Sequence, residues 1–207
     1  MHRQLAAMAI MVLGVDGAAA QGLAAAAPQS LTFAASRNGQ PIGTHTVRIV
    51  DQGDRRTVVN SIDLALKALG VTVYRYAHHS TEVWQGDRLQ SLSARTEDNG
   101  ATHKVQVNRQ GESLRVDREE RKSVIKAVSF EQVMPAETRS ASETQPGTLL
   151  PTSLWYRRIA TQSALLNAQS GKPSRIQVSK LGRDTVRTSR LSIEATRYRY
   201  AGDLRID

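Results

Sequence analysis

The chain has 207 residues, with 28 Lys and Arg against 19 Asp and Glu for a formal charge of +9, and 40% of its residues are hydrophobic. That balance describes a folded chain, neither a disordered polymer nor a membrane bundle. The absence of cysteine excludes a disulfide framework, a thiolate zinc site, a cysteine nucleophile and a lipid-modified N-terminal cysteine.

The first residues read as an address. His2 and Arg3 precede an apolar run from Leu5 to Val15, and Gly17-Ala18-Ala19-Ala20 follows. A basic start, a short apolar centre and an Ala-x-Ala end are the parts of a secretory signal peptide. Cleavage is expected after Ala20, with Ala24 to Ala27 as later alternatives, leaving one β-rich domain over 28–207. The apolar run falls short of the roughly 20 residues that span a bilayer, and no second such stretch exists. The expectation is an exported, soluble, non-lipidated protein. Lys supplies only six of the 28 basic residues, and an Ala- and Arg-rich chain suggests a GC-rich bacterial genome and a periplasm. Anionic partners there are phospholipid head groups, lipopolysaccharide phosphates and acidic peptides, rather than nucleic acid.

From Ser30 onward, strand-like runs alternate with turn signals about every ten residues, as in an antiparallel meander. Leu31 to Ser36 meets Asn38-Gly39, a strong hairpin signal. Ile42 to Asp51 meets Gln52-Gly53-Asp54. Thr57 to Leu69 places Val58, Ile62, Leu64, Leu66 and Ala68 on one face, and that period of two means one buried and one wet face. Val71 to Trp84, Arg88 to Glu97 and Ala101 to Arg109 follow, the last two joined by Asp98-Asn99-Gly100. A short strand surrounds Leu114 and Val116. The mixed charges of Asp117 to Lys126 read as a solvated loop or edge, and Glu131 to Pro151 as a connector. Thr152 or Ser153 can cap an α-helix carrying Leu154, Trp155, Ile159, Gln162, Leu165 and Leu166 at helical spacing, ended by Gly171 and Pro173. Ser174 to Leu181 and Thr185 to Tyr200 return to strands. The chain stops at Leu204-Arg205-Ile206-Asp207 still alternating, which reads as a domain cut short or a strand whose partner lies elsewhere. The expected fold is mostly β: an antiparallel meander forming a curved sheet or partial barrel with one covering α-helix.

Chemistry-bearing residues concentrate between Tyr74 and Trp84. On a strand, Tyr74, Tyr76, His78, Ser80, Glu82 and Trp84 share one face, whereas His79 points to the other. The adjacent histidines therefore cannot bind one metal ion. His45 and His103 could join His78 only if their strands align. Same-face neighbours two apart stand about 7 Å apart at Cβ, too far for a preformed nucleophile and base, and no Gly-x-Ser-x-Gly, His-Glu-x-x-His or Gly-rich phosphate loop occurs. No catalytic residue, metal or cofactor is assigned.

Several segments resemble one family of exported bacterial proteins. They are Arg37-Asn38-Gly39-Gln40-Pro41-Ile42-Gly43-Thr44-His45, Val73-Tyr74-Arg75-Tyr76-x-His78, Glu82-Val83-Trp84 and Asp98-Asn99-Gly100. Leu150-Pro151-Thr152-Ser153 with Trp155, and Tyr198-x-Tyr200-x-Gly202-Asp203-Leu204, complete the set. The family is domain of unknown function 6134, and the resemblance implies export and a mostly β fold without a substrate or catalytic residue. Family members usually continue into a Trp-Tyr-Asp-x-x-Gly hairpin, and often carry an acidic residue where this chain has Ala77, so no charge relay beside His78 carries over.

The function expected is non-catalytic: an apolar or amphipathic ligand such as a lipid held between sheet and helix. Its contacts would be Tyr74, Tyr76, His78, Trp84 and Trp155, with Arg197 and Arg199 for an anionic head group. One alternative is an envelope protein–protein interaction module using an exposed β edge near Asp207. Another is a hydrolase using His78, Ser80 or Glu82.

Overall fold

Two-residue turns built on glycine organise most of the chain. Asn38-Gly39 and Asn99-Gly100 put positive φ on both central residues (51° and 78°, 45° and 95°), as the strand twist asks of a type I′ hairpin. Gly53, Gly86 and Gly111 supply the positive φ at the opposite end of the strands. The structure is a computed structural model that describes residues 28–122, 137–187 and 192–204. The expected signal peptide and the chain's last three residues, including the edge expected near Asp207, lie outside the described residues.

Eight strands, β1 (Gln29–Arg37), β2 (Gln40–Gln52), β3 (Arg55–Ala68), β4 (Val71–Gln85), β5 (Arg88–Asp98), β6 (Ala101–Gln110), β7 (Ser113–Lys122) and β8 (Glu137–Pro146), pair in chain order as one antiparallel sheet. The sheet is open, with β1 and β8 at its edges. Of the charged stretch that reads as a solvated loop or edge, residues 123–126 lie outside the described residues. Asp117 to Lys122 instead belong to β7, an inner strand paired with β6 and β8. Its charges are accommodated by cross-strand partners: Lys104 meets Glu119 at 2.8 Å, and Arg118 pairs with Glu143. Much of the expected connector is strand β8. Its backbone pairs with β7 from Glu137 to Pro146, reinforced by Arg118–Glu143 and by Ser142 Oγ donating to Asp117 Oδ1 at 2.6 Å, partners that composition does not reveal.

The chain divides into two compact units, one of residues 28–148 with Ala168–Gly171 and the other of residues 149–167 and 172–204. The second holds a four-stranded sheet: β9 (Leu150–Pro151) runs parallel to β10 (Ala164–Leu166), and β10, β11 (Pro173–Arg187) and β12 (Ser192–Gly202) pair antiparallel. The α-helix expected after Thr152 does not form, and the described residues contain no α-helix. Leu154 takes a left-handed φ of 60°, which ends any right-handed helix at its first turn. Only a 3-10 turn, Arg157–Thr161, follows. Leu165 and Leu166 then pair with Leu150 and Pro151 on one side and with Ser174 and Pro173 on the other. An isolated helix of this length is marginal, so strand pairing that buries both leucines completely prevails, each burial contributing about 1.5–3 kcal/mol. No helix among the described residues is long and apolar enough to cross a membrane.

Candidate functional site

Register brings side chains of the first sheet into rows across one buried face. Ile49, Val58, Glu82, Leu92, Val107 and Val116 stand directly opposite one another in turn, and so do Val47, Asn60, Ser80, Ala94 and Val105. A third row runs His45, Ile62, His78, Thr96, His103. The strands that carry the three histidines therefore do align. One strand separates each histidine from the next, which is about 9–10 Å, whereas nitrogens on one zinc ion at about 2 Å must come within roughly 4 Å of each other. Among the described residues no cluster of His, Cys, Asp or Glu could hold a metal ion.

Six polar residues are buried in these rows: His45, Asn60, His78, Ser80, Glu82 and Thr96. Trp84 Nε1 donates to Glu82 Oε2 at 2.9 Å, and Asn60 Nδ2 to Glu82 Oε1 at 3.4 Å. His78 Nδ1 shares a 2.7 Å hydrogen bond with Thr96 Oγ1. Burial, with the neighbouring His45 and His79, pushes the His78 imidazole down to about 4. Burial lowers His45 as well, against the neighbouring Asn60 side chain, which raises it. His45 Nδ1, Asn60 Oδ1 and Ser80 Oγ have no hydrogen-bond partner among the described residues. His78 and Glu82 thus engage Thr96 and Trp84, and neither activates Ser80. Trp84 itself is 1% exposed and is a core residue.

Tyr74 and Tyr76 belong to a second group. Tyr74 donates to Asp98 Oδ1 at 2.6 Å, Tyr76 donates to Gln169 Oε1 at 3.2 Å, and Gln169 Nε2 donates to Asp98 Oδ2 at 3.3 Å. Both phenols are raised above their ordinary value, chiefly by burial and then by Asp98. The two hydroxyls tie the loop Ala168–Gly171 to β4 and β5 of the same unit. Gln169 lies 93 residues from Tyr76, so nothing local in the sequence announces this contact. Trp155, stacked on Tyr156 with ring centroids 5.1 Å apart, belongs to the other unit, as do Arg197 and Arg199 on β12. Arg197 faces Asp184 at 3.8 Å.

A cleft of about 1010 Å³ lies elsewhere, lined by none of the seven residues expected to touch a ligand. Pairing of β2 with β3 stops at Gly43 opposite Leu64. Beyond that point β2 pairs only with β1, and β3 only with β4, so two hairpins part and leave a gap. Gly43 stands at the fork with φ 150°, and a Cβ there would overlap the Asp63 carbonyl. Pro41, Ile42, Ala65, Leu66 and Val73 provide apolar walls, with Arg37 and Lys67 as the cations and Asp63 as the acid. Asp63 faces Arg75 at 3.6 Å. Sequence reading missed this cleft, although Pro41, which cannot donate to a ladder, is a signal that pairing is interrupted there.

The geometry defines a class: a cysteine-free antiparallel β-protein with an open eight-stranded meander, a buried polar patch and an open cleft at one end of its strands. The family described as domain of unknown function (DUF6134) matches residues 33–207, and the chain belongs to that family. No curated protein and no solved structure matches the chain.

Proposed function

We propose that this chain is exported and binds an amphipathic anion in the cleft between the β1–β2 and β3–β4 hairpins. The observation that carries the reading is the cleft itself, at the upper end of the range for small-molecule sites. Its mixed lining supports the choice of ligand: Ile42, Leu66 and Val73 suit an acyl or other apolar group, and Arg37 and Lys67 suit an anionic head. Neither cation is in an ion pair among the described residues, whereas the acidic neighbour Asp63 faces Arg75. The role expected of Arg197 and Arg199 passes to Arg37 and Lys67, and Tyr74 and Tyr76 brace the sheet beside the site. Residues 28–207 act as one functional domain, since the family match runs through both units. Export rests on the basic, apolar and Ala-x-Ala pattern of residues 1–20.

Native mass spectrometry of the chain, expressed with residues 1–20 in a Gram-negative host and purified from periplasm, tests both parts. The expected result is a mature mass beginning at Gln21, with an added mass that extracts into organic solvent and disappears in the Arg37→Glu, Lys67→Glu double variant. A clean apo mass overturns the carrier reading. It moves the weight to edge pairing by β1, whose residues Gln29 to Ser36 carry no charge to blunt it.

A further inference from the structure

Three hairpins of the first sheet turn through a non-glycine residue in the left-handed conformation followed by glycine: Asn38-Gly39, Leu69-Gly70 and Asn99-Gly100. Asn adopts this conformation readily because its side chain hydrogen-bonds locally, but Leu does so only under strain. Leu69, with φ 51°, is nevertheless fully exposed at 104%. Neither local conformation nor burial accounts for it. Val71 and Val73, 66% and 57% exposed, stand beside it, and these three are the most exposed large hydrophobic residues among those described.

The register gives this turn a further property. On one side the pairing of β3 with β2 ends at Leu64, and on the other the pairing of β4 with β5 begins at Tyr76. Residues 65–75 therefore have no ladder partner but each other, apart from the Arg75 carbonyl, which accepts from Asn99 N at 2.8 Å. They form a finger that extends past the start of β5 on one side and faces the β1–β2 hairpin across the cleft on the other. Lys67 and Arg75 are exposed on its two strands. The acid nearest in the finger's own hairpin, Asp63, faces Arg75, and Asp98 on the adjoining β5 is held by Tyr74 and Gln169.

We propose that this finger docks the protein on an anionic lipid bilayer, with Leu69 entering the acyl boundary, Val71 and Val73 following it, and Lys67 and Arg75 meeting head-group phosphates. A protruding single leucine needs a partner that parts around it, which a fluid bilayer does without a complementary socket. The flanking cations and the chain's charge of +9 select an anionic surface. Lys67 and Val73 also line the cleft, whereas Leu69 does not, so a change at Leu69 tests the finger apart from the cleft.

Vesicle flotation of the full mature chain decides the matter. The chain is expected to float with vesicles of phosphatidylglycerol and phosphatidylethanolamine and not with phosphatidylcholine alone. Leu69→Asn installs the residue that the two sister turns carry, so its melting temperature should match or exceed that of the parent, while vesicle affinity falls about tenfold. Lys67→Glu should weaken anionic-vesicle binding without creating binding to phosphatidylcholine. Undiminished flotation of Leu69→Asn, or no preference of the parent chain for anionic vesicles, overturns the proposal and leaves a protein socket as the finger's partner. A bound mass retained by Leu69→Asn alongside lost flotation separates this site from the cleft.

Discussion

His78 illustrates how a single residue records its surroundings. Its imidazole is 8% exposed and is held neutral down to about pH 4 by burial, whereas in the unfolded chain it titrates near 6.5. Between those values the unfolded state binds the extra proton, so stability rises with pH. The contribution of neutral His78 is fully present above about pH 6.5 and is lost as pH falls toward 4, a change of about 3 kcal/mol. His45, lowered in the same direction, adds to the slope. His78→Gln retains a polar group for Thr96 and removes the titration. Urea unfolding at pH 7 and pH 4.5 should therefore show the parent losing more stability than the variant. Equal losses would mean that His78 becomes protonated without unfolding. Glu82 makes a related point: a fully buried carboxyl group in an otherwise apolar row is tolerable because Trp84 and Asn60 donate to it, since a buried polar group left unsatisfied costs about 1–3 kcal/mol.

At the scale of elements, the fork between the β1–β2 and β3–β4 hairpins depends on Gly43. No side chain fits there, because β3 backbone occupies the space of a Cβ and φ is 150°. Gly43→Ala should destabilise the protein by about 1–3 kcal/mol and open the cleft. Gly39→Asn, at a turn with φ 78° but nothing within 4 Å of the added Cβ, should cost less, since Asn tolerates the left-handed region. Denaturation midpoints of the two variants check the contrast; equal midpoints would show that the close approach at Gly43 relaxes freely. The 152–169 segment shows the opposite dependence. Its apolar spacing fits a helix, yet Leu165 and Leu166 are claimed by strands on both sides, so tertiary pairing overrides local periodicity.

For the molecule as a whole, charge acts at the surface rather than in the core. The ion pairs Arg95–Glu97, Lys104–Glu119 and Arg139–Glu137 all lie between exposed side chains, where such pairs contribute little. Raising salt toward 1 M shortens the screening length to about 3 Å. Thermal melts should therefore shift little between low and high salt, while flotation with anionic vesicles should drop steeply. A melting point that falls by several degrees in high salt would instead make the wet-face pairs structural.

Much of the first sheet was legible in the residue order. Alternation of period two and the Asn-Gly turns locate β1 through β6 within a few residues, because strand periodicity and left-handed turns are local properties. The family was legible too, from spaced motifs such as Val73-Tyr74-Arg75-Tyr76 and Leu150-Pro151-Thr152-Ser153. What the order of residues leaves open is which polar groups meet. His78 finds Thr96, Tyr76 finds Gln169, and a charge-rich stretch becomes an inner strand, each through a partner distant in sequence. The cleft and the finger are decided at the same level. Both arise where two adjacent strand pairings stop, and the end of a pairing belongs to the register between strands rather than to either strand alone.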